Sequence, residues 1–183
     1  MTDQEKDIVK GCQKGDRKMQ QLLYSKYSRS MYAVAVRYTK MQQEAEDIIQ
    51  EAFIKVFKNI DKFRQDSSLG YWIKRIVINT ALNHQRSKLY LYPMVDVHEM
   101  TNKPSEELII SDFSHQELIE MIRELPSGCQ TIFNLYAIEG YKHHEIATML
   151  EISEGTSKSQ YSRAKVLLKE RILSSSIVNY GEA

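Results

Sequence analysis

Apolar residues return every three or four positions along most of this chain, a spacing that is typical of amphipathic helices. The clearest runs are residues 19–38 and 44–60, where one hydrophobic side chain follows another about once per helical turn. A strand-like alternation of apolar and polar residues does not occur in the sequence. The pattern therefore predicts an all-α fold, and 183 residues leave room for two small helical domains.

Short polar signals indicate where these helices begin and end. Thr2 and Ser114 each precede a glutamate by three residues, which is the spacing of a capping box, and Asp16 is a further candidate N-cap. Residues 61–70 include the sequence FRQDSSLG, whose composition predicts a loop, and a fourth helix is expected to start at Trp72.

The segment 93–113 separates two helical regions. It contains two prolines, keeps no sustained hydrophobic period and carries an excess of acids, so its composition predicts a flexible acidic linker. We therefore expect an N-terminal helical domain over residues 1–92, this linker, a C-terminal helical domain over 114–175 and a tail over 176–183.

The formal net charge is only +1, but the charges are unevenly distributed along the chain. Residues 62–88 contain six basic side chains and one acid, and residues 153–173 contain five basic side chains and two acids. Residues 93–124, between them, contain eight acids and two bases. Two basic blocks separated by an acidic one favour two contacts with an anionic polymer, although ordinary solvated helix faces also produce such patterns.

Several classes of protein are excluded by the sequence. Its apolar runs are too short to cross a bilayer and its first residues are charged, so we expect a cytoplasmic protein without membrane insertion. Cys12 and Cys129 are too few for a disulfide framework. His144 and Glu145 begin a pattern similar to a zinc protease motif, but Thr148 replaces its second histidine. We expect no catalytic residues, no metal, no cofactor and no enzymatic activity.

The segment YKHHEIATMLEISEGTSKSQYSRAKVLL has the features of a helix-turn-helix. Ala147 is the small residue needed where two helices cross, and Glu151 opens a tight turn that usually contains glycine. A side chain in the left-handed conformation of that turn costs about 1–2 kcal/mol. The apolar anchors would be Ile146, Leu150, Ile152, Tyr161 and Ala164. A plain pair of packed helices is the alternative interpretation.

Two sets of polar side chains are candidates for DNA contacts. The second helix of the helix-turn-helix would offer a major groove Lys158, Ser159, Gln160, Ser162, Arg163 and Lys165. Backbone N–H groups near Gly155 and Thr156 would meet a phosphate at the start of that helix. The fourth helix of the chain has a polar stripe at steps of four, four and three residues, in which asparagines suit base edges and arginines suit phosphates: Arg75, Asn79, Asn83 and Arg86.

The sequence EAEDIIQEAFIKVFKNIDKF, with FRQDSSLGYWIKRIVINTALNHQR after it, resembles the extracytoplasmic-function (ECF) group of bacterial sigma factors, the small initiation subunits of RNA polymerase. The later sequence LPSGCQTIFNLYAIEGYKHHEIATMLEISEGTSKSQYSRAK resembles the −35-binding domain of the same family. The resemblance implies a helical −10-binding domain, a linker and a helical −35-binding domain. Core RNA polymerase and promoter DNA are the implied partners, and an anti-sigma factor is left open as another.

The resemblance also implies roles for individual positions. Asp47, Gln50 and Glu51 match the Asp-x-x-Gln-Glu surface that binds a coiled coil on the polymerase clamp, with a solvated acidic face as the alternative. The loop Gln65–Gly70 matches the family loop that captures a flipped base. The −10 candidates are Phe63, Gln65, Asp66, Ser67, Ser68, Tyr71, Trp72, Arg75, Asn79 and Asn83. For Trp72, core packing is an equal alternative.

Two positions depart from the family pattern. Gln130 and Gln160 stand where many relatives carry arginine, and a glutamine that reaches a base favours adenine over guanine. The linker also leaves two interpretations open, because its acidic charge suits either a basic polymerase channel or a solvated tether.

The hypothesis that unites these features is a sigma factor. Such a protein binds core RNA polymerase, directs it to promoters through −10 and −35 elements and promotes promoter melting. The main alternative is a dimeric helix-turn-helix transcriptional regulator with an N-terminal helical sensor domain. A helical scaffold without a nucleic-acid role is a more distant alternative.

Overall fold

A computed structural model of the chain describes residues 2–89 and 114–180. Within those ranges every regular element is helical, and the chain forms two compact units, inside Met1–Lys88 and Leu89–Ala183. The prediction of an all-α fold with two small helical domains is confirmed. The predicted linker, 93–113, lies outside the described residues. No described helix is both long and hydrophobic enough to span a bilayer.

The N-terminal unit begins with two helices whose caps follow the predicted signals. Thr2 Oγ1 accepts a hydrogen bond from the Glu5 backbone N–H at 3.3 Å, and Glu5 Oε2 accepts one from the Thr2 N–H at 3.0 Å. Asp16 Oδ1 accepts the Lys18 N–H at 2.8 Å. The elements are α1 (Asp3–Gln13), α2 (Arg17–Val36), α3 (Gln42–Asn59), a 3₁₀ turn (Ile60–Lys62) and α4 (Leu69–Leu89).

The core of this unit forms from one face of each long helix, and α2 packs against both α1 and α3. On α4, Ile73, Val77 and Ala81 are fully buried. The buried residues of α3 are Ala45, Ile48, Ile49, Ala52, Phe53 and Val56. Because buried residues recur every three or four positions, the opposite faces of α3 and α4 remain for polar side chains.

The fourth helix begins earlier than the sequence predicts. Its first residue is Leu69 rather than Trp72, and Ser68 Oγ accepts the Tyr71 N–H at 3.2 Å. Leu69 is buried, so this apolar side chain anchors the first turn of the helix. The loop before it is also shorter than predicted, because residues 60–62 form the 3₁₀ turn.

The C-terminal unit starts with the second predicted capping box. Ser114 Oγ accepts the Glu117 N–H at 3.3 Å, and Glu117 Oε2 accepts the Ser114 N–H at 2.7 Å. The elements are α5 (His115–Arg123), α6 (Ser127–Phe133), a π-helical turn (Asn134–Ile138), α7 (His143–Leu150) and α8 (Glu154–Tyr180). Helix α8 continues past residue 175, so the backbone of residues 176–180 is helical.

The long helix α8 is the centre of the C-terminal unit, since it contacts α5, α6 and α7. Arg171 on α8 forms an ion pair with Glu124 at the end of α5. The core cluster joins α6 to α8 and consists of Leu125, Cys129 and Ala164, with Phe133, Leu167 and Leu168 packed against it.

Candidate nucleic-acid and protein interfaces

One polar stripe runs along the surface of α4. Its members follow each other at steps of four residues and all are exposed: Tyr71, Arg75, Asn79 and Asn83. Lys74 Nζ lies 5.8 Å from the centre of the Tyr71 ring, which adds positive charge beside the stripe. The stripe combines an aromatic ring, amides and a guanidinium, the groups that stack on bases, bind base edges and hold phosphates.

The short loop before α4 lies next to the start of this stripe. Gln65 has a φ of 64°, in the left-handed region that residues with side chains seldom adopt. Asp66 and Ser68 are exposed, and Ser67 is half-buried. The loop thus presents a carboxylate and two hydroxyl groups close to the N-terminus of α4.

The two aromatic residues beside the loop differ in accessibility. Phe63 is buried, so the expectation that its ring contacts a base needs correction. Its ring lies 5.3 Å from that of Trp72, measured between centroids, and Trp72 is half-buried. Phe63 therefore supports Trp72 from the core, because burying an apolar ring is more favourable than leaving it in solvent. Trp72 packs on the core and keeps part of its surface accessible.

A second polar face lies on α3, opposite its buried residues. Asp47 and Gln50 are exposed, whereas Glu51 is half-buried and bonded within the unit. Glu51 Oε1 lies 2.7 Å from Lys55 Nζ, and its Oε2 lies 2.7 Å from His84 Nε2 on α4. These bonds hold the pKa of Glu51 below its usual value, with Lys55 contributing most. The carboxylate of Glu51 is therefore ionised at neutral pH.

The helix-turn-helix has the predicted crossing and turn. Ala147 and Ala164 are both buried, and the Ile152 N–H donates to the Ala147 carbonyl at 3.1 Å. Glu151 adopts φ 57° and ψ 43°, which is the left-handed conformation expected for the residue that replaces glycine. The prediction that this side chain occupies a strained position is confirmed.

The first turn of α8 differs from the predicted phosphate site. The Thr156 N–H donates to Ser153 Oγ at 2.9 Å, so Ser153 caps the helix. The expectation that this N–H group awaits a phosphate is wrong for this conformation, because the serine hydroxyl satisfies it. Thr156 Oγ1 also lies 2.8 Å from Ser153 Oγ. The Thr156 side chain therefore takes part in the N-cap of α8.

Of the predicted groove-facing residues of α8, two are exposed, three are half-buried and Gln160 is buried. Lys158 and Lys165 are exposed, and Ser159, Ser162 and Arg163 are half-buried. Lys158 Nζ forms an ion pair with Glu154 at 2.8 Å, and Lys165 Nζ lies 5.2 Å from the centre of the Tyr161 ring. The exposed positive charge of α8 is therefore concentrated at the two lysines.

Gln160 is the clearest correction in the C-terminal unit. Its side chain is buried, and its Oε1 accepts a hydrogen bond from Cys129 Sγ at 3.1 Å. Gln160 follows Ser157 by three residues and precedes Ala164 by four, so it lies on the buried stripe of α8. Gln130, the other departure from the family pattern, is buried as well. The interpretation of Gln160 as a base reader is therefore replaced by a role in the core.

No sequence pattern predicted the position of His143, which lies in an aromatic cluster. Its ring stacks on Tyr136 with centroids 4.2 Å apart, and its Nδ1 lies 2.9 Å from Ser157 Oγ on α8. Burial lowers the pKa of His143, and the charge of Lys158 lowers it further. Tyr136 also packs on Tyr161, with ring centroids 4.5 Å apart, so the three rings form one cluster.

Comparison with known protein families gives one match for each unit. Residues 23–89 match Sigma-70 region 2, and residues 115–168 match Sigma-70, region 4. The first segment contains α3, the loop and the α4 stripe, and the second contains the helix-turn-helix. The polar faces of α3 and α4 thus both lie within the segment that matches region 2.

Relatives that align along most of the chain agree with this result. The RNA polymerase sigma-H factor of Pseudomonas aeruginosa is 32% identical over 175 residues, covering 89% of this chain and 91% of that protein. The ECF RNA polymerase sigma-E factor of Escherichia coli is 30% identical over 184 residues, covering 94% and 95% respectively.

A solved structure shares the fold. It is the sigma factor RpoE in complex with the anti-sigma factor NepR from Bartonella quintana, with a TM-score of 0.52 and 22% identity. The match covers 87% of this chain and 97% of that one. From its two matched regions and these relatives, the chain belongs to the sigma-70 family, in the ECF group of RNA polymerase sigma factors.

Proposed function

We propose that the N-terminal unit docks this sigma factor on core RNA polymerase and opens the −10 element, while the C-terminal unit holds the −35 element. The chain is a transcription initiation factor, with core RNA polymerase and promoter DNA as its partners. The observation that carries the division of labour is that both matched regions, in order, present exposed polar faces on separate helical units.

The polymerase contact is assigned to Asp47, Gln50 and Glu51 on α3. Asp47 and Gln50 are exposed and one turn apart, so both reach a partner from the same side. The ionised carboxylate of Glu51 adds negative charge to that side. Such a face complements a basic helical surface, and charged contacts across an interface steer and orient the docking partner.

The −10 contact is assigned to the α4 stripe and the preceding loop. Asn79 and Asn83 would contact base edges, and Arg75 would hold the backbone of the melted strand. Asp66, Ser67 and Ser68, with the accessible edges of Tyr71 and Trp72, would line a pocket for a flipped base. Unstacking a base costs a few kcal/mol, so stacking and hydrogen bonds in the pocket must offset it. Gln65, through its left-handed backbone conformation, would set the direction of the loop backbone.

The −35 contact is assigned to the outer side of α8. Lys158 and Lys165 would bind phosphates, and Ser159, Ser162 and Arg163 would lie at the edges of the contact. This assignment omits Gln160, because its side chain is committed to the core of the unit. Base preference at the −35 element would then depend on the half-buried polar residues and on DNA shape.

Several further roles belong to the proposal. The boundaries 1–92, 93–113, 114–175 and 176–183 are proposed as region 2, linker, region 4 and tail. We propose a cytoplasmic initiation factor without enzymatic activity, because polymerase and promoters are its partners.

The acidic linker would either enter a basic polymerase channel or act as a tether. That an anti-sigma factor binds this chain stays a prediction.

A run-off transcription assay with purified core polymerase tests the proposal. Addition of this chain to core enzyme should produce a transcript from a cognate promoter, whereas core enzyme or chain alone should not. The dimeric regulator alternative makes a different prediction, because a regulator binds a two-fold duplex operator without polymerase. Specific duplex binding by the chain alone, without polymerase-dependent transcripts, would contradict the proposed function.

A further inference from the structure

Four side chains connect α3 to α4, and we call this set the Glu51 bracket: Glu51, Lys55, Thr80 and His84. His84 Nε2 lies 2.7 Å from Glu51 Oε2, and Lys55 Nζ lies 2.7 Å from Glu51 Oε1. Lys55 Nζ also donates to Thr80 Oγ1 at 3.3 Å. A carboxylate only accepts hydrogen bonds, so His84 donates from Nε2. Both oxygens of Glu51 therefore have partners within the unit.

The bracket joins matching turns of the two helices. Glu51 and Lys55 are four residues apart on α3, and Thr80 and His84 are four residues apart on α4. Each pair thus stacks along one side of its helix. Thr80 is buried and donates its hydroxyl to the Ile76 carbonyl at 2.8 Å, which joins the bracket to the backbone of α4. The bracket thus links two turns of α3 to two turns of α4.

The position of the bracket places it between two functional faces. On α3, Glu51 directly follows Gln50 of the polymerase face, and on α4, His84 directly follows Asn83 of the stripe. We propose that His84 is a positioning residue that, by holding Glu51, keeps the α4 stripe in register with the polymerase face of α3. This inference rests on the proposed function. Glu51 then has two roles. It belongs to the polymerase face of α3, and through His84 it holds the DNA-contacting side of α4 in place.

The test compares three substitutions of His84 in complete holoenzyme. His84→Leu removes the donor, His84→Asn is too short to place a donor at the Nε2 position, and His84→Gln keeps an N–H of similar reach. We expect His84→Leu and His84→Asn to lower open-complex occupancy by up to about fivefold, the size of one partly exposed ion pair. His84→Gln should restore most of it. Permanganate reactivity of unpaired thymines measures occupancy, and core binding is measured separately.

Double substitutions identify the partner. Adding His84→Leu to Glu51→Ala should cause no further loss of opening, because the bracket is already broken. Adding it to Asp47→Ala should multiply the two effects, since Asp47 is not part of the bracket. Circular dichroism and the emission of Trp72, which is the only tryptophan and lies on α4, show whether each free variant is folded.

Each outcome supports or overturns the inference. Reduced opening with unchanged core binding, and recovery in His84→Gln, supports a positioning role. Wild-type opening in folded His84→Leu or His84→Asn overturns it, as does a variant whose core binding falls in parallel with opening. Failure of His84→Gln to recover also overturns it. If Asp47→Arg instead leaves core binding intact, the polymerase face of the proposed function is wrong, which distinguishes the two failures.

Discussion

The two helical units present their polar residues in different ways. In the N-terminal unit, α4 buries one face and leaves the whole stripe from Tyr71 to Asn83 exposed. In the C-terminal unit, α8 contacts three other helices, so Lys158 and Lys165 are exposed while Gln160 is buried between them in sequence. The comparison teaches that helical spacing predicts the buried face in both units, since Gln160 lies between Ser157 and Ala164 on the buried stripe of α8. Residue polarity alone predicts exposure poorly, because a buried hydrogen bond makes a glutamine compatible with a core.

The largest expected effect tests the exposed face of the N-terminal unit. Asp47→Arg should weaken binding to core polymerase by about 2–5 kcal/mol, because it opposes a charge across a docked interface. The fold should be unchanged, since Asp47 is exposed. Equilibrium binding of labelled protein to core enzyme measures the effect. Asp61→Arg, which reverses another exposed acid outside this face, is the matched control, and equal affinities for the two variants would exclude the α3 face.

The next effect tests the buried position in the C-terminal unit. Gln160→Ala should destabilise this unit by about 1–3 kcal/mol, because it removes the acceptor of the buried Cys129 hydrogen bond and leaves a cavity in the core. Hydrogen exchange resolved by peptide measures the stability of each unit in the full chain. Lys165→Ala should leave that stability within about 0.5 kcal/mol, since its side chain is exposed.

The same pair of variants distinguishes a core role from base reading. Lys165→Ala should weaken binding to all −35 sequences alike and reduce the salt dependence of binding, as loss of one phosphate contact does. Gln160→Ala should keep the base preference of the wild type at every −35 position. A relaxed preference at one position, with unchanged stability, would show that Gln160 leaves the core and reads a base.

A smaller effect compares the residues with positive φ in the two units, Gln65 and Glu151. Glu151→Gly should stabilise the C-terminal unit by about 1 kcal/mol, because glycine adopts the left-handed conformation without the steric cost. Gln65→Gly should stabilise the N-terminal unit to a similar degree but reduce opening at the −10 element, since a glycine loosens the loop. Thermal unfolding and the permanganate assay measure the two quantities. A destabilised Glu151→Gly would show that the side chain of Glu151 contributes more than its backbone conformation costs.

The smallest expected effect is a difference between the two units in how their stability depends on pH. The pKa of His143 is lowered by burial, so the unfolded chain binds a proton more readily below about pH 6.5 and the C-terminal unit loses stability there. The pKa of Glu5 is lowered to about 2, mainly by the hydrogen bond from Tyr27, so its contribution is present above about pH 4.5. The N-terminal unit should lose that contribution only as the pH falls from about 4.5 toward 2.

Matched histidine variants check this difference. His143→Gln should flatten the stability of the C-terminal unit between about pH 7.5 and 5.5, by at most about 1 kcal/mol because solvent screens a half-buried group. His144→Gln, at an exposed neighbouring position, should leave the profile unchanged. A profile that stays steep in His143→Gln would assign the pH dependence to another group.

The parts of the structure that depend on neighbouring residues could be predicted from the sequence. Capping boxes at Thr2 and Ser114 form as predicted, because their donors and acceptors are three residues apart. The left-handed turn at Glu151 and the exposed stripe of α4 are equally local, since they follow from turn geometry and helical spacing.

The parts that failed depend on contacts between distant helices. Gln160 is buried by α6 through Cys129, which is 31 residues away, and His143 is held by Ser157 on another helix. One sequence signal for Gln160 was present, because it precedes the predicted core residue Ala164 by one helical turn. The prediction that Gln160 is exposed rested on the polar character of glutamine instead of on that spacing. A buried hydrogen bond makes such a residue compatible with a core.

The most direct test of the account compares promoter opening in holoenzymes that carry Asn79→Ala and Lys165→Ala. Total promoter binding and permanganate reactivity of unpaired thymines are measured on the same samples. If the N-terminal unit opens DNA and the C-terminal unit holds the duplex, Asn79→Ala binds the promoter but opens a smaller fraction of it. Lys165→Ala binds less promoter but opens a normal fraction of what it binds. Normal opening by Asn79→Ala, or a selective opening defect in Lys165→Ala, would contradict this division of labour.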